Sequence, residues 1–122
     1  MVFYPILNIR KRKIQAPELV EKILKITQKA LSKHKVETSL DLKNPGLYIK
    51  EKKIVSFGMT IKKGITLHGV SVNINNNQSG FEEINPCGGP PKTMSSIKRE
   101  TGRTINIELI AMEIKKSLME TL

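Results

Sequence analysis

The sequence predicts one α+β domain spanning residues 1–122, in which helices pack against a mixed or antiparallel sheet. Two neighbouring strands, residues 53–62 and 65–75, are predicted where side chains alternate on either side of a tight turn. Helices are predicted before and after this pair, where apolar residues recur at helical spacing. At 122 residues and 39% hydrophobic content, the chain fits a single domain with a modest core.

The elements before the central pair follow from local signals. The side chains of residues 3–9 alternate as in a strand. Residues 17–33 are predicted to form a helix that opens with Pro17, whose missing N–H would have no hydrogen-bond partner in the first turn. The apolar stripe of this helix comprises Leu19, Val20, Ile23, Leu24, Ile26, Ala30 and Leu31. Short strands are predicted over 36–39 and 47–50, separated by the turn Asn44-Pro45-Gly46.

A two-residue loop at Lys63-Gly64 fixes the register of the central hairpin by pairing Lys62 with Ile65. One face is then apolar, with the pairs Val55–Val72, Phe57–Val70 and Met59–His68. The other face carries the pairs Ser56–Ser71 and Gly58–Gly69. Facing glycines leave a flat floor on which a chain-like ligand can lie, and the alternative is two separate bulges or bends.

The chain after the hairpin begins with a polar loop, residues 75–80, and a Pro- and Gly-rich loop, residues 85–91. A short helix over 95–101 is predicted to end at Gly102. Asn106 is the expected N-cap of a last helix. The expected buried stripe of that helix is Ile107, Ile110, Ala111, Ile114 and Leu118.

Cys87 is the first candidate for chemistry, because a Gly/Pro loop can present a side chain to solvent and aim backbone N–H groups at an oxyanion. Gly88 and Gly89 leave room for a substrate beside the sulfur. A thiol is a good nucleophile only as the thiolate, so a cation or base must lie nearby. The alternative is that Cys87 is a small buried hydrophobic residue.

Lys53 and His68 are the candidate helpers of the thiol. In the simple register Lys53 falls on the apolar side of its strand, where burial would favour the neutral amine and make it a base. Alternatively, Lys53 sits at the strand end and extends its amine to water. His68, beside Met59 on the helix-packing face, fits a structural role better than that of a base.

The composition narrows the classes of partner and site. The net charge of +10 suits an acidic partner, either nucleic acid or an acidic carrier domain, or simply a solvated basic surface. The excess of Lys over Arg and the 4% aromatic content weigh against nucleic acid. One Cys and two His argue against a metal site or an internal disulfide. No apolar run approaches a membrane span, and the first residues resemble a strand more than a leader. The single cysteine fits a reducing compartment, either the cytosol or an organelle matrix, and a cytoplasmic protein is expected.

These residues also resemble a known family, the octanoyltransferases of lipoate biosynthesis. The stretch 52–58 followed by 66–75 is similar to the family pattern K-I-x-x-x-G followed by H-G-x-A-x-N-x-N. Gly80-Phe81, Pro86-Cys87-Gly88 and the segment 95–102 continue the pattern in order, and the opening Tyr4-Pro5-Ile6-Leu7 resembles a family strand. A lone P-C-G is a weak signal, whereas the ordered set of motifs is specific.

The resemblance implies a reaction and a fold. An octanoyl group on acyl carrier protein would pass to Cys87 as a thioester and then to a lysine of a lipoyl domain as an amide, without a cofactor or metal. By position Lys53 matches the family's catalytic lysine, which is implied to lower the pKa of the thiol and to manage protons at the amine step. The residues implied to bind substrate are Ser56, Phe57, Gly58, His68, Gly69, Val70, Ser71 and Gly88. The implied fold is the one shared by biotin and lipoate protein ligases.

The implied partners are octanoyl acyl carrier protein and the lipoyl domains of 2-oxoacid dehydrogenases or the glycine cleavage H protein, all suited to a basic surface. The sequence also departs from the family. The R-G-G and H-G-P-G loops of its N-terminal half have no counterpart, Ser71 replaces the usual Ala, and Tyr48 stands where Trp is common. The run Gly89-Pro90-Pro91 is unusual after the cysteine.

We therefore expect the C-terminal catalytic half of an octanoyltransferase, either as one subunit of a split enzyme, with a second chain supplying the rest, or as a fragment. A non-catalytic accessory subunit of the same machinery and a basic nucleic-acid-binding module are the alternatives.

Overall fold

The computed structural model describes residues 1–3, 5, 11, 13, 15–74 and 94–121. In this part of the chain a five-stranded antiparallel sheet has the order β1-β5-β4-β3-β2. Its strands are β1 (Val2–Phe3), β2 (Ser39–Asp41), β3 (Gly46–Ile49), β4 (Lys52–Lys62) and β5 (Ile65–Val72). The helices are α1 (Ala16–Lys33), α2 (Ile97–Thr101) and α3 (Ile107–Thr121). The predicted α+β class, with helices on an antiparallel sheet, is confirmed.

Helix α1 supplies the centre of the core. Its proline sits in the first turn, and the helix ends at His34, whose backbone N–H donates to the Leu31 carbonyl at 3.0 Å. The predicted stripe is buried, except that Val20 is half-buried. Thr27, which the prediction omitted, is also fully buried, because its hydroxyl donates to the Ile23 carbonyl at 2.9 Å and leaves no polar atom unsatisfied. Helix α1 packs against α3 and against strands β2 to β4.

The β4–β5 hairpin has the predicted register. Lys62 pairs with Ile65, and both loop residues have positive φ, 53° at Lys63 and 80° at Gly64, as a type I′ turn requires. All the predicted cross-strand pairs are present. Strand β5 ends at Val72 and not at residue 75, because the Asn73 carbonyl turns to accept the N–H of Ile97 at 2.9 Å.

A β-bulge interrupts the pairing of β3 with β4. Leu47 pairs with Val55, but Tyr48 pairs with Lys53, so β4 carries Ile54 as one extra residue. Ile54 and Val55 are consecutive in the chain and both fully buried. A bulge reverses the alternation of side chains beyond it, so the prediction that Lys53 lies on the apolar side was wrong.

The β2–β3 hairpin is present, but its strands are shifted along the sequence relative to the prediction. The strand expected over 36–39 forms at Ser39–Asp41, and β3 runs over Gly46–Ile49, one residue earlier than expected. Val36 is buried without belonging to a strand. Of the strand predicted over residues 3–9, only Phe3 and Pro5 are described, and only Phe3 lies in β1; the rest falls outside the described residues.

Two of the predicted helix signals, Gly102 and Asn106, are confirmed, whereas the helix expected from residue 95 begins at Ile97. Ser96 caps α2 by accepting the Arg99 N–H at 3.2 Å, and Gly102 follows the helix with φ 73°. Asn106 caps α3 by accepting the Leu109 N–H at 3.2 Å.

The buried stripe of α3 is narrower than predicted. Ile110 and Ile114 are buried and Leu118 is half-buried, whereas Ile107 and Ala111 are exposed. The prediction of a five-residue stripe was therefore wrong at these two positions. The physical reason is that α3 packs mainly on the single helix α1, which covers only a narrow line of side chains.

Candidate functional site

One face of the sheet is built from small residues and lies opposite the face that α1 covers. It carries the pairs Ser56–Ser71 and Gly58–Gly69, and on β3 it carries Gly46, the partner of Ser56. We call these five sheet positions the glycine face: Gly46, Ser56, Gly58, Gly69 and Ser71. Cross-strand partners share a face of a sheet, so the grouping follows from register.

The centre of the glycine face is open within the described part of the chain. Gly58 is exposed, and a Cβ added there would meet only the Gly69 carbonyl oxygen, at 3.8 Å. Ser56, Gly69 and Ser71 are half-buried. The predicted flat floor is present, and the alternative of two independent bulges at these glycines is excluded by their continuous pairing.

The bulge at Ile54 brings the Lys53 side chain to the glycine face. Its Cε lies 3.1 Å from the position that a Cβ on Gly46 would occupy, so the lysine stem passes directly over that glycine. The Val55 carbonyl oxygen also occupies that space. Only glycine leaves room here, because an added Cβ would overlap the backbone oxygen of Val55, which cannot move aside as the lysine stem can.

The Lys53 amine is held by two residues of the β2–β3 hairpin. Its Nζ donates to the Asn44 side-chain oxygen at 3.0 Å and lies 5.8 Å from the centre of the Tyr48 ring, within the range of a cation–π contact. The Tyr48 hydroxyl in turn donates to the Asn44 carbonyl at 2.8 Å. Because Lys53 is only 6% exposed, it does not extend freely into water as the alternative interpretation had it.

Cys87 and Gly88 lie outside the described residues, but the chain on both sides of them is described. Before the gap, the Asn73 N–H donates to the Ile54 carbonyl at 2.8 Å. After it, Met94 forms a bridge with Lys53, and the Ser95 N–H donates to the Lys53 carbonyl at 3.0 Å. The described residues that flank this segment are therefore anchored beside Lys53.

The anchor after the gap is a buried polar cluster. Ser95 is 1% exposed, and its hydroxyl donates to Glu100 Oε2 at 2.8 Å. Glu100 belongs to α2, whose cap is the adjacent Ser96. The first turn of α2 thus fixes the backbone that bonds to Lys53.

The other predicted substrate residues are distributed over both faces. Val70 is fully buried and Phe57 half-buried, and both pack into the core on the α1 side, away from the glycine face. His68 pairs with Met59 in the hairpin register. The structure brings Ser56, Gly58, Gly69 and Ser71 together with Lys53, and it does not bring Phe57 and Val70 to that face.

Sequence reasoning missed the residues that hold the amine. Asn44 and Gly46 were interpreted only as a turn, and Tyr48 only as a departure from a family pattern. A glycine at the start of a strand was the available signal, because it indicates close approach of another group. Among the described residues, no three His, Cys, Asp or Glu side chains gather as metal ligands, and no described helix could cross a membrane.

This arrangement can bind an extended apolar chain. The facing glycines offer a backbone floor without side chains, and the Lys53 amine at its edge can stabilise a negative charge or move a proton. The described residues thus supply a lysine and a floor.

Comparisons with known proteins agree with this geometry. The octanoyltransferase of Shewanella piezotolerans is 34% identical over 122 residues, which cover 100% of this chain and 53% of that protein. The chain spans about half the length of the curated relatives it matches.

Solved structures share the fold. A biotin protein ligase from Aquifex aeolicus matches with a TM-score of 0.73 and 20% identity, over 94% of this chain and 48% of that chain. A lipoate-protein ligase A bound with ATP matches with a TM-score of 0.67 and 11% identity, over 88% of this chain and 47% of that chain. The predicted fold, that of biotin and lipoate protein ligases, is confirmed.

A family comparison covers nearly the whole sequence. Residues 1–119 match the lipoyl protein ligase A/B catalytic domain. The match includes the β4–β5 hairpin, Lys53 and the cysteine segment together. This chain therefore belongs to the lipoyl protein ligase A/B catalytic domain family.

Proposed function

We propose that this chain transfers an octanoyl group from acyl carrier protein to a lysine of a lipoyl domain through a thioester on Cys87. The observation that carries the proposal is the placement of Lys53 at the edge of the glycine face, between the two anchors of the cysteine segment. Relatives named octanoyltransferase, at 31–38% identity, support the same reaction class.

The first step forms the thioester. The Cys87 thiolate attacks the octanoyl carbonyl, and the carbon–sulfur bond to the carrier breaks. The carrier leaves as a thiol with the proton of the Lys53 ammonium, which thereby becomes the neutral amine used in the second step. A cation beside a cysteine favours the thiolate, and Lys53 supplies that cation. Cys87 lies seven residues before Met94, so extended chain lets it be at most about 25 Å from the anchor and allows a closer approach to the amine.

The second step forms the amide. The target lysine, in its neutral form, attacks the Cys87 thioester, the carbon–sulfur bond breaks, and the thiolate is regenerated. The attacking nitrogen must lose a proton, and Lys53 in its neutral form accepts it as general base. Octanoyl carbons would lie along the floor made by Gly58 and Gly69.

The proposed partners are acidic domains and a second chain. A net charge of +10 complements acidic carrier and lipoyl domains and would speed their encounter in the cytoplasm. A second chain would supply the other half of the octanoyltransferase. Such a split arrangement predicts exposed apolar surface, and the exposed α3 residues Leu109, Met112 and Met119 are consistent with it.

Intact-mass spectrometry after incubation with octanoyl acyl carrier protein tests the proposal. Wild-type chain should gain one octanoyl group, and the gain should be absent in Cys87→Ser. The measurement is made with and without a chain carrying the R-G-G and H-G-P-G motifs. Absence of the adduct in both conditions would contradict acyl transfer by this chain.

A further inference from the structure

We propose that Asn44 is a positioning residue for the Lys53 amine. The inference rests on the proposed function, because it concerns how the lysine of that reaction is aimed. Asn44 does not need to touch the substrate. Its side-chain oxygen accepts one N–H of the Lys53 amine, and the other N–H groups of the amine are thereby directed toward the glycine face.

The first support is the way in which the side chain of Lys53 is fixed along its length. Its stem crosses Gly46, its Nζ donates to Asn44 Oδ1 at 3.0 Å, and the Tyr48 ring lies 5.8 Å from Nζ. A lysine loses up to about 2 kcal/mol of side-chain entropy when it is immobilised, so such a geometry needs several partners. Asn44 provides the one hydrogen bond in the described part of the chain that ends on the amine itself.

The second support is the rigidity of Asn44. The Asp41 carboxylate accepts the N–H groups of Lys43 at 2.8 Å and of Asn44 at 3.3 Å, which closes the β2–β3 turn. The Tyr48 hydroxyl donates to the Asn44 carbonyl at 2.8 Å. The backbone of Asn44 is therefore fixed at both its N–H and its carbonyl, and its side-chain oxygen has a defined position.

The third support is the chemistry of an amide acceptor. An amide oxygen accepts an ammonium proton without bringing a negative charge, whereas a carboxylate at the same place would pair with the amine. In the described part of the chain Lys53 takes part in none of the ion pairs, which join Glu18 to Lys22, Glu21 to Lys25 and His34 to Glu113. An asparagine thus orients the ammonium and leaves its charge available to a thiolate.

The test compares Asn44→Ala with Asn44→Asp, which keeps an oxygen acceptor, and with Asn106→Ala as a control at a distant capping asparagine. The first measurement is the NMR signal of the Lys53 ammonium protons, recorded without substrate and assigned with Lys53→Met. A hydrogen-bonded, buried ammonium exchanges slowly with water, so the signal should appear in wild type, in Asn44→Asp and in Asn106→Ala. It should be lost in Asn44→Ala, and its retention there would overturn the inference.

The second measurement is the octanoyl transfer rate. Asn44→Ala should lower kcat about tenfold, the size expected for one hydrogen bond to a charged group, with KM changed less than twofold. Asn44→Asp should also lower kcat, since its carboxylate neutralises the ammonium that it holds, and Asn106→Ala should match wild type. Wild-type kinetics in Asn44→Ala would overturn the inference while leaving the proposed function intact. An inactive wild type in the presence of its partners would overturn the proposed function, and the NMR result would still decide whether Asn44 holds the amine.

Discussion

At the residue scale, Ile54 decides which face of the sheet receives the Lys53 side chain. It is the extra residue of β4 between the pairs Leu47–Val55 and Tyr48–Lys53. Without it, strand alternation would direct the lysine into the core beneath α1. The position of the amine next to an open, glycine-lined floor is thus a consequence of one added residue.

Gly46 is the second position at which a single residue controls the site. A methyl group there would overlap the Val55 carbonyl oxygen and lie 3.1 Å from Lys53 Cε. Gly46→Ala should therefore lower the free energy of unfolding by about 1–3 kcal/mol, the range for overpacking. Urea denaturation measures this.

Gly58→Ala is the matched control for the same chemical change on the same face. Its Cβ would have a nearest neighbour at 3.8 Å, an ordinary contact, so stability should stay within about 0.5 kcal/mol of wild type or rise. Equal losses in the two variants would show that the crowding over Gly46 is not what makes it necessary.

At the element scale, the hairpin turn sets the register that forms the glycine face. Gly64 has φ 80°, a conformation that costs a residue with a side chain roughly 1–2 kcal/mol. Gly64→Ala should destabilise the protein by that amount. Lys63→Asn should not, because asparagine suits the first position of a type I′ turn. Thermal unfolding of the two variants distinguishes the turn conformation from a general sensitivity of the loop.

Helix α3 depends on its cap. Asn106 Oδ1 accepts the Leu109 N–H at 3.2 Å, and the buried contacts of the helix are few. Asn106→Ala should cost about 1 kcal/mol, whereas Asn106→Asp should cost much less because it keeps the acceptor. If both variants unfolded at the wild-type urea concentration, the cap would contribute nothing to stability.

The elements that could be predicted correctly are those whose signals lie within one short stretch of sequence. Helix α1 follows from its apolar stripe, and the β4–β5 register follows from the Lys63-Gly64 turn and the alternation beside it. The bulge at Ile54 was missed because no residue type marks it, and only the packing of both Ile54 and Val55 in the core requires it. The exposure of Ile107 was missed because periodicity does not reveal how many neighbours a helix has.

At the scale of the whole molecule, helix α1 packs against one face of the sheet, and the glycine face lies on the opposite side. The core combines α1 with the inner residues of β3, β4 and β5. Leu24 of α1, Leu47 of β3 and Val55 of β4 are all 0% exposed. Leu24→Ala should destabilise the protein by about 2–5 kcal/mol, as measured by urea unfolding. A loss below 1 kcal/mol would mean that α1 does not anchor the sheet.

The candidate site could be predicted only in part, because several of its contacts join residues that lie far apart in the sequence. Lys53 and the facing glycines were found from motif and register, but Asn44 and Tyr48 reach the amine across a hairpin whose turn positions them in three dimensions. The hydrogen bonds that join Asn73 and Ser95 to the backbone of Ile54 and Lys53 are likewise long-range contacts that no local pattern contains.

The most direct test of the account is the rate at which the single cysteine, Cys87, is alkylated by iodoacetamide at neutral pH. If the Lys53 ammonium stabilises the thiolate, Lys53→Met should slow alkylation roughly tenfold, while Lys62→Met, at an exposed position of the same strand, should not change it. Circular dichroism of each variant confirms that the fold is retained. Equal alkylation rates in wild type and Lys53→Met would contradict the claim that this lysine and this thiol act together.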